Sequence, residues 1–162
     1  MAAKKKKIPC VQHLPHPSKC PSIGYSPELS KIPKSAHDPQ SYYNSKPAWR
    51  ISMMEMEDPY GWHKIDATTL YKIRAHLKNL ESMTWSDILV KAKKQNHLIS
   101  KNKISSNAQK RLLDIKQDDI DELLSLRLTG KERIYGIMEG GIAKLLWWDP
   151  FHKVCPSELR HT

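Results

Sequence analysis

The residues best suited to chemistry fall in one run, RLTGKERIYGIMEGGIAKLLWWDPFH, residues 127–152. Arg127, Lys131 and Arg133 supply positive charge, Tyr135 a phenol, and His152 an imidazole three residues after Asp149. The planar fork of arginine matches two phosphate oxygens at once. An unperturbed imidazole titrates at about 6.5, where a proton is readily given or taken. Such a set suffices to cleave RNA without a metal or other cofactor. The nucleophile is then the substrate's own 2′-hydroxyl, so the protein has only to hold it in line, stabilise charge on the phosphate and move a proton at each end. Asp149 is placed to orient the His152 ring or raise its pKa. Tyr135, Trp147 and Trp148 are candidates to stack on unpaired bases, each worth ~1–3 kcal/mol where it does so. Each piece also has a plainer reading. Arginines on a sheet face are often only solvated, one of two adjacent tryptophans must face a core by strand alternation, and Asp149 with Pro150 is a common way to end a strand.

These side chains converge only if the run is sheet. Leu124, Leu126 and Leu128 alternate with Ser125 and Arg127, and Thr129, Gly130 and Lys131 supply a hairpin turn. Arg133, Tyr135 and Ile137 alternate with Ile134, Gly136 and Met138, Glu139, Gly140 and Gly141 make a second turn, and residues 142–148 form a third strand. The expected product is a three-stranded antiparallel meander, leucines inward against helices, with Arg127, Arg133 and Tyr135 on an open basic face. His152 reaches that face only if the chain folds back across the sheet after Pro150.

Upstream, Trp49, Ile51 and Met53 suggest a short strand, followed by turn chemistry at residues 58–61. Asp66 or Thr68 can cap a helix carrying Leu70, Ile73, Leu77 and Leu80 at helical spacing. A second short helix over residues 83–89, capped by Thr84 or a neighbour, completes a hairpin with a basic flank. Residues 93–107 read as a long loop, 107–113 as a short helix and 118–124 as a brief turn. His63, His76 and His97 find no partner in this scheme and are read as surface or packing residues. The fold class expected is α+β, a small helical hairpin packed on an antiparallel β-meander, forming a single domain over residues 48–162.

Composition separates residues 1–47 from that domain. The first fifty residues hold eight of the eleven prolines, and eight lysines and one arginine against only Glu28 and Asp38, so net +7 of the total +10 lies there. Such sequence buries too little apolar surface to repay ordering, and reads as an extended basic arm. Lys4, Lys5, Lys6 and Lys7 in the arm, with Lys131, Lys144 and Trp148 in the body, are the expected RNA contacts. Cys10, His13, His16 and Cys20 contain zinc-ligand chemistry, but four ligands within eleven residues, interrupted by Pro15 and Pro17, fit the usual two-pair spacing poorly, so no metal is expected. Three cysteines and the lack of an apolar run after MAAKKKK argue for free thiols and a cytosolic protein, and no segment approaches a membrane span.

Two helices followed by L-x-L-R-L-T-G-K-E-R-I-Y-G-I, an apolar strand and D-P-x-H resemble the RelE/ParE toxin superfamily of toxin–antitoxin systems, especially its ribonuclease branch, over about residues 66–154. The matching positions are Arg127, Leu128, Gly130, Arg133, Ile134 and Tyr135, with His152 as the residue near the C-terminus that completes the site. The resemblance implies a metal-independent endoribonuclease that inhibits translation by cutting mRNA in the context of a ribosome, silenced by a protein antitoxin over the basic face. Catalytic roles would fall to Arg127, Arg133, Tyr135 and His152. A non-enzymatic adaptor binding nucleic acid or protein, and a ParE-like gyrase inhibitor, are the alternatives on the same fold. If the arm is an electrostatic tether, RNA affinity should fall steeply with salt, and removing residues 1–47 should weaken binding and flatten that slope. Equal affinity of the truncated protein at every salt concentration would contradict the tether.

Overall fold

Strand alternation is realised in the centre of the sheet as β3 (Glu122–Arg127), β4 (Arg133–Glu139) and β5 (Ile142–Asp149), an antiparallel meander. The computed structural model, which describes residues 41–156, adds β1 (Ala48–Arg50) and β2 (Asn96–Ser100) to make five strands in the order β1-β5-β4-β3-β2. β1 runs parallel to β5, and the other neighbours are antiparallel. Glu139 and Ile142 pair directly across Gly140 and Gly141, whose φ of 55° and 85° are the left-handed conformations that a two-residue turn of this hand requires. With α1 (Ala67–Leu80) and α2 (Ser106–Asp114) the class is α+β. Lys4, Lys5, Lys6, Lys7 and the Cys10, His13, His16, Cys20 set lie outside the described residues.

Local capping explains where the helices begin. The Asp66 carboxylate accepts from the Thr69 N–H at 2.9 Å and its hydroxyl at 2.7 Å, starting α1. The expected second helix is a single π-helical turn, Asp87–Lys91, entered through reciprocal bonds between Thr84 and Asp87. Ile73 and Leu80 of α1, with Trp85, Ile88 and Leu89, pack on Leu124, Leu126, Ile134, Ala143, Leu145 and Trp148. This is the leucine face that alternation implies.

The opposite face is not open. Ala108 and Leu112 of α2, joined by Tyr60, Ile104 and Val154, cover Leu123, Tyr135, Leu146 and Trp147 in a second core. IAKLLWWD is close to a continuous apolar run, the pattern of a strand covered on both sides rather than one, and Leu123 of β3 adds an apolar residue on the α2 side. Both tryptophans are therefore buried, Trp147 on the α2 side and Trp148 on the α1 side. The long loop expected over residues 93–107 contains β2. Its two apolar residues, Leu98 and Ile99, face different cores, so the strand shows no alternation in sequence. The strand expected to run on past Arg50 stops there, and residues 51–62 follow the outer edge of β5 instead.

A bulge sets the phase of β5. Tyr135 opposes Trp147 while Gly136 opposes Leu145, which leaves Leu146 without a partner in β4. Leu146 and Trp147 consequently face the same core. The Leu146 carbonyl accepts instead from the Glu55 N–H and the Trp62 indole, each at 3.0 Å. The Glu55 carboxylate accepts a hydrogen bond from the Trp147 indole N–H at 2.5 Å and pairs with Arg111 of α2. Opposite the bulge, a Cβ on Gly136 would stand 2.7 Å from the Lys144 carbonyl oxygen, so only glycine admits this approach.

Residues 41–47, assigned to the arm by composition, pack with the domain. Tyr42 and Tyr43 lie against the α1-side core, Pro47 is buried, and the Ser45 carbonyl accepts the Trp85 N–H at 3.0 Å. A truncation that isolates the arm should stop at residue 40. Among the described residues no helix is long and apolar enough to cross a membrane. Leu112→Ala should destabilise the domain by ~2–5 kcal/mol through the cavity left in the second core, and Gly136→Ala by ~1–3 kcal/mol through overpacking. Denaturant midpoints measure both, and an unchanged midpoint for Leu112→Ala would contradict the covered face.

Candidate functional site

Register gathers the basic residues at one end of the sheet. Arg127 opposes Arg133, and Arg133 opposes Asp149, so the three form a row across β3, β4 and β5. Two residues inward on the same face comes the row His97, Ser125, Tyr135 and Trp147. Directly opposed residues hold their Cβ atoms ~4.5–5.5 Å apart. The α2-side core ends at this second row, so the Tyr135 and Trp147 rings form its wall and the arginines stand beyond it.

His152 joins from the loop after β5. The two carboxylate oxygens of Asp149 accept the Phe151 N–H at 3.1 Å and the Val154 N–H at 2.7 Å, which folds the chain back after Pro150. Asp149 is thereby committed to backbone, not to the His152 ring as expected. His152 itself has φ of 61°, a left-handed conformation uncommon for a residue with a Cβ. Desolvation, then the charges of Arg133 and His152, lower the pKa of His97. The two imidazoles and Arg133 thus share one electrostatic neighbourhood. Lys93 lies beside them, exposed.

Among the described residues five side-chain polar atoms are buried without a hydrogen-bond partner, and three are here: His97 Nδ1, the Tyr135 hydroxyl and His152 Nδ1. Buried polar groups are almost always paired, so three unpaired together leave donor and acceptor capacity for a ligand. Burial, then the Asp149 carboxylate, pushes the Tyr135 pKa up, so the phenol is a neutral donor. Ser125, directly opposite, is near enough to oppose that rise slightly, but its hydroxyl forms no bond of acceptable geometry with Tyr135.

The two arginines are held differently. Arg133 Nη1 stands 3.0–3.1 Å from the carbonyl oxygens of Thr129, Gly130 and Glu132, so one arm of its fork braces the hairpin loop while the rest of the guanidinium is free of such bonds. Desolvation and the neighbouring Arg127 lower its pKa from the ordinary arginine value, yet arginine remains charged at neutral pH. Arg127 is exposed, and its backbone N–H is fixed by the buried Asn96 Oδ1 at 3.1 Å. Lys131 is exposed at the tip of the loop. The arrangement is basic by composition: Arg127, Lys131 and Arg133, with His97, His152 and Lys93 near them, around the neutral Tyr135 phenol and against the Asp149 carboxylate.

Several expected contacts fall elsewhere. Lys144 lies toward the other end of β5 and pairs with Glu139. Trp148 is 6% exposed and packs its ring against Trp62 in the α1-side core, while Tyr135 and Trp147 are wholly buried, so none of the three offers a face to a base. His97 is the member of this cluster that sequence spacing missed, because only strand register with β3 brings it into the row of Ser125 and Tyr135. Cys155 is a free thiol, and among the described residues no three His, Cys, Asp or Glu side chains are grouped to hold a metal ion.

Comparison of the chain with protein-family models, with curated proteins and with solved structures returns no match.

The lowered pKa of His97 makes a stability prediction. In the unfolded chain the imidazole titrates near 6.5, and in the folded protein it titrates lower. Between those values the unfolded state binds the extra proton, so stability is complete above the unfolded pKa and falls as pH drops through that window. From about pH 8 to about pH 5 the denaturant midpoint should fall less for His97→Gln than for the parent. Parallel declines would show that His97 is not held deprotonated by its surroundings.

Proposed function

We propose that the chain cleaves single-stranded RNA by attack of a 2′-hydroxyl on the adjacent phosphorus, as a RelE-like toxin acting on mRNA. The observation that carries this reading is the grouping of three unpartnered buried polar atoms, His97 Nδ1, Tyr135 hydroxyl and His152 Nδ1, beside Arg127 and Arg133. A phosphodiester in transit to a pentacoordinate state needs two proton carriers, charge, and neutral donors. That is the inventory at this end of the sheet.

In the reaction His97, kept neutral by its surroundings, accepts the 2′-hydroxyl proton as the O2′–P bond forms. Protonated His152 donates to the 5′ oxygen as the P–O5′ bond breaks. The products are a 2′,3′-cyclic phosphate and a 5′-hydroxyl, and the two imidazoles exchange protonation states. Arg127 and the free part of the Arg133 guanidinium hold the non-bridging oxygens, and the Tyr135 hydroxyl donates to one of them. The resemblance over residues 66–154 adds the biological setting: translating ribosomes as the place where RNA is presented, and a protein antitoxin as the partner that covers this sheet end.

The test is cleavage of a single-stranded RNA by the full chain, with and without ribosomes. His97→Ala and His152→Ala should each slow cleavage by about 10²- to 10⁴-fold while leaving RNA affinity nearly intact. Arg127→Ala should remove ~2–4 kcal/mol of transition-state stabilisation with little change in folding stability, because its side chain is exposed. Arg133→Ala should do the same but also loosen the hairpin loop it braces. Cleavage unaffected by both histidine changes would remove the site from the reaction. RNA bound but uncut in both conditions would favour the adaptor.

A further inference from the structure

The loop that carries His152 has a second side. Tyr60, Lys64, Trp148, Phe151 and Lys153 line a cavity of about 400 Å³ against the end of β5, and nothing in the proposed reaction uses it. That volume lies within the usual range for small-molecule pockets, which is roughly 300–1,000 Å³. Its chemistry is distinctive. Phe151 is 67% exposed, the only large apolar side chain of the loop left in solvent, and the Lys153 ammonium stands 5.3 Å from its ring centroid. Tyr60 and the edge of Trp148 form the inner wall. At the rim the exposed Lys64 and Asp58 pair at 2.6 Å, offering a donor and an acceptor side by side.

Position ties this cavity to the cluster described above. Asp149 holds the intervening loop by both carboxylate oxygens, and its bonds to Phe151 and Val154 bracket His152. His152 in its left-handed conformation bears on His97, while Phe151 and Lys153 on either side of it face the cavity. A ligand with a flat π-face and an anionic group, joined by a short flexible link, would span the loop with both ends satisfied.

Taking the RNA-cleaving reading as premise, we infer that this cavity is a nucleobase subsite: it receives an unpaired base of single-stranded RNA, stacked on Phe151, whose neighbouring phosphate lies at Arg127, Arg133 and the two histidines. Stacking supplies the affinity and accepts any base, since every base presents a π-face. Lys153 serves the same base from the cationic side. The buried Tyr135, Trp147 and Trp148 are thus replaced in the stacking role by a residue that is free to perform it.

The experiment uses the full chain and a short fully 2′-O-methylated RNA, which lacks the nucleophile and cannot be cut, and measures affinity by fluorescence anisotropy. Phe151→Ala and Phe151→Leu should weaken binding by on the order of 10- to 100-fold, the loss expected for one base–aromatic stack, and Phe151→Tyr should restore it. The same oligonucleotide made abasic throughout should bind all four proteins equally. Phe151 is exposed, so these changes leave the cores intact and circular dichroism confirms it. Wild-type affinity in the alanine and leucine variants would overturn the subsite, and if ordinary RNA is still cut, the cleavage reading survives that loss. Phe151-dependent binding of the methylated RNA together with no cutting of ordinary RNA would keep the subsite and remove the cleavage reading. Failure of the parent protein to bind the methylated RNA would overturn the subsite.

Discussion

One unpaired residue decides which groups meet. Leu146 bulges out of the β4–β5 ladder, and from that point β5 presents the opposite set of side chains to each core. Without the extra residue strict alternation would turn Trp147 toward α1 and Asp149 away from Arg133. With it, Trp147 closes the α2-side core and Asp149 lands beside Arg133, on the face of Tyr135, where it can fold the following loop and bring His152 in. The bulge is stabilised from three directions. Glu55 and Trp62 satisfy its carbonyl, Gly136 lets the strands close up beside it, and Arg111 neutralises the carboxylate that holds Trp147. Breaking that Arg111–Glu55 pair would leave a buried charge, the costly case for an ion pair of this kind.

The end of the sheet combines two features that lower stability. Buried donors and acceptors lack partners, and like charges adjoin: Arg127 depresses the pKa of Arg133, and Arg133 and His152 depress that of His97. They coincide at one place, beside the left-handed backbone of His152, which is the coincidence that the proposed anion-binding role draws on. Asp149 offsets part of the positive charge, acting to raise the pKa of Arg133, while its oxygens also accept the Phe151 and Val154 N–H groups. Arg127 and Arg133 outnumber this one carboxylate in the row, so the end of the sheet stays basic.

Periodicity made the centre of this fold legible. Leu124, Leu126 and Leu128, the Gly140–Gly141 turn, the Asp66 and Thr84 caps and the spacing within α1 all act through nearest neighbours, and their signals are local. What escaped was non-local. β2 is a polar edge strand whose two apolar residues serve different cores, so it carries no period. The second cover by α2 was foreshadowed only by the nearly continuous apolar character of IAKLLWWD. The bulge leaves no sequence mark apart from Gly136, and His97 acquires meaning only through its register with Ser125. Arg127, Arg133, Tyr135 and His152 were legible as a group because three of them share one hairpin. The stacking role assigned to the tryptophans failed because alternation on a doubly covered sheet buries both.

The central claim is that RNA is cut here by its own 2′-hydroxyl, with imidazoles moving the protons. End-group analysis of the cleavage products by mass spectrometry addresses it most directly. The account predicts a 2′,3′-cyclic phosphate on the upstream fragment and a 5′-hydroxyl on the downstream one, with both lost in His97→Ala and His152→Ala. A 5′-phosphate and a 3′-hydroxyl, formed equally by the parent and both variants, would contradict it.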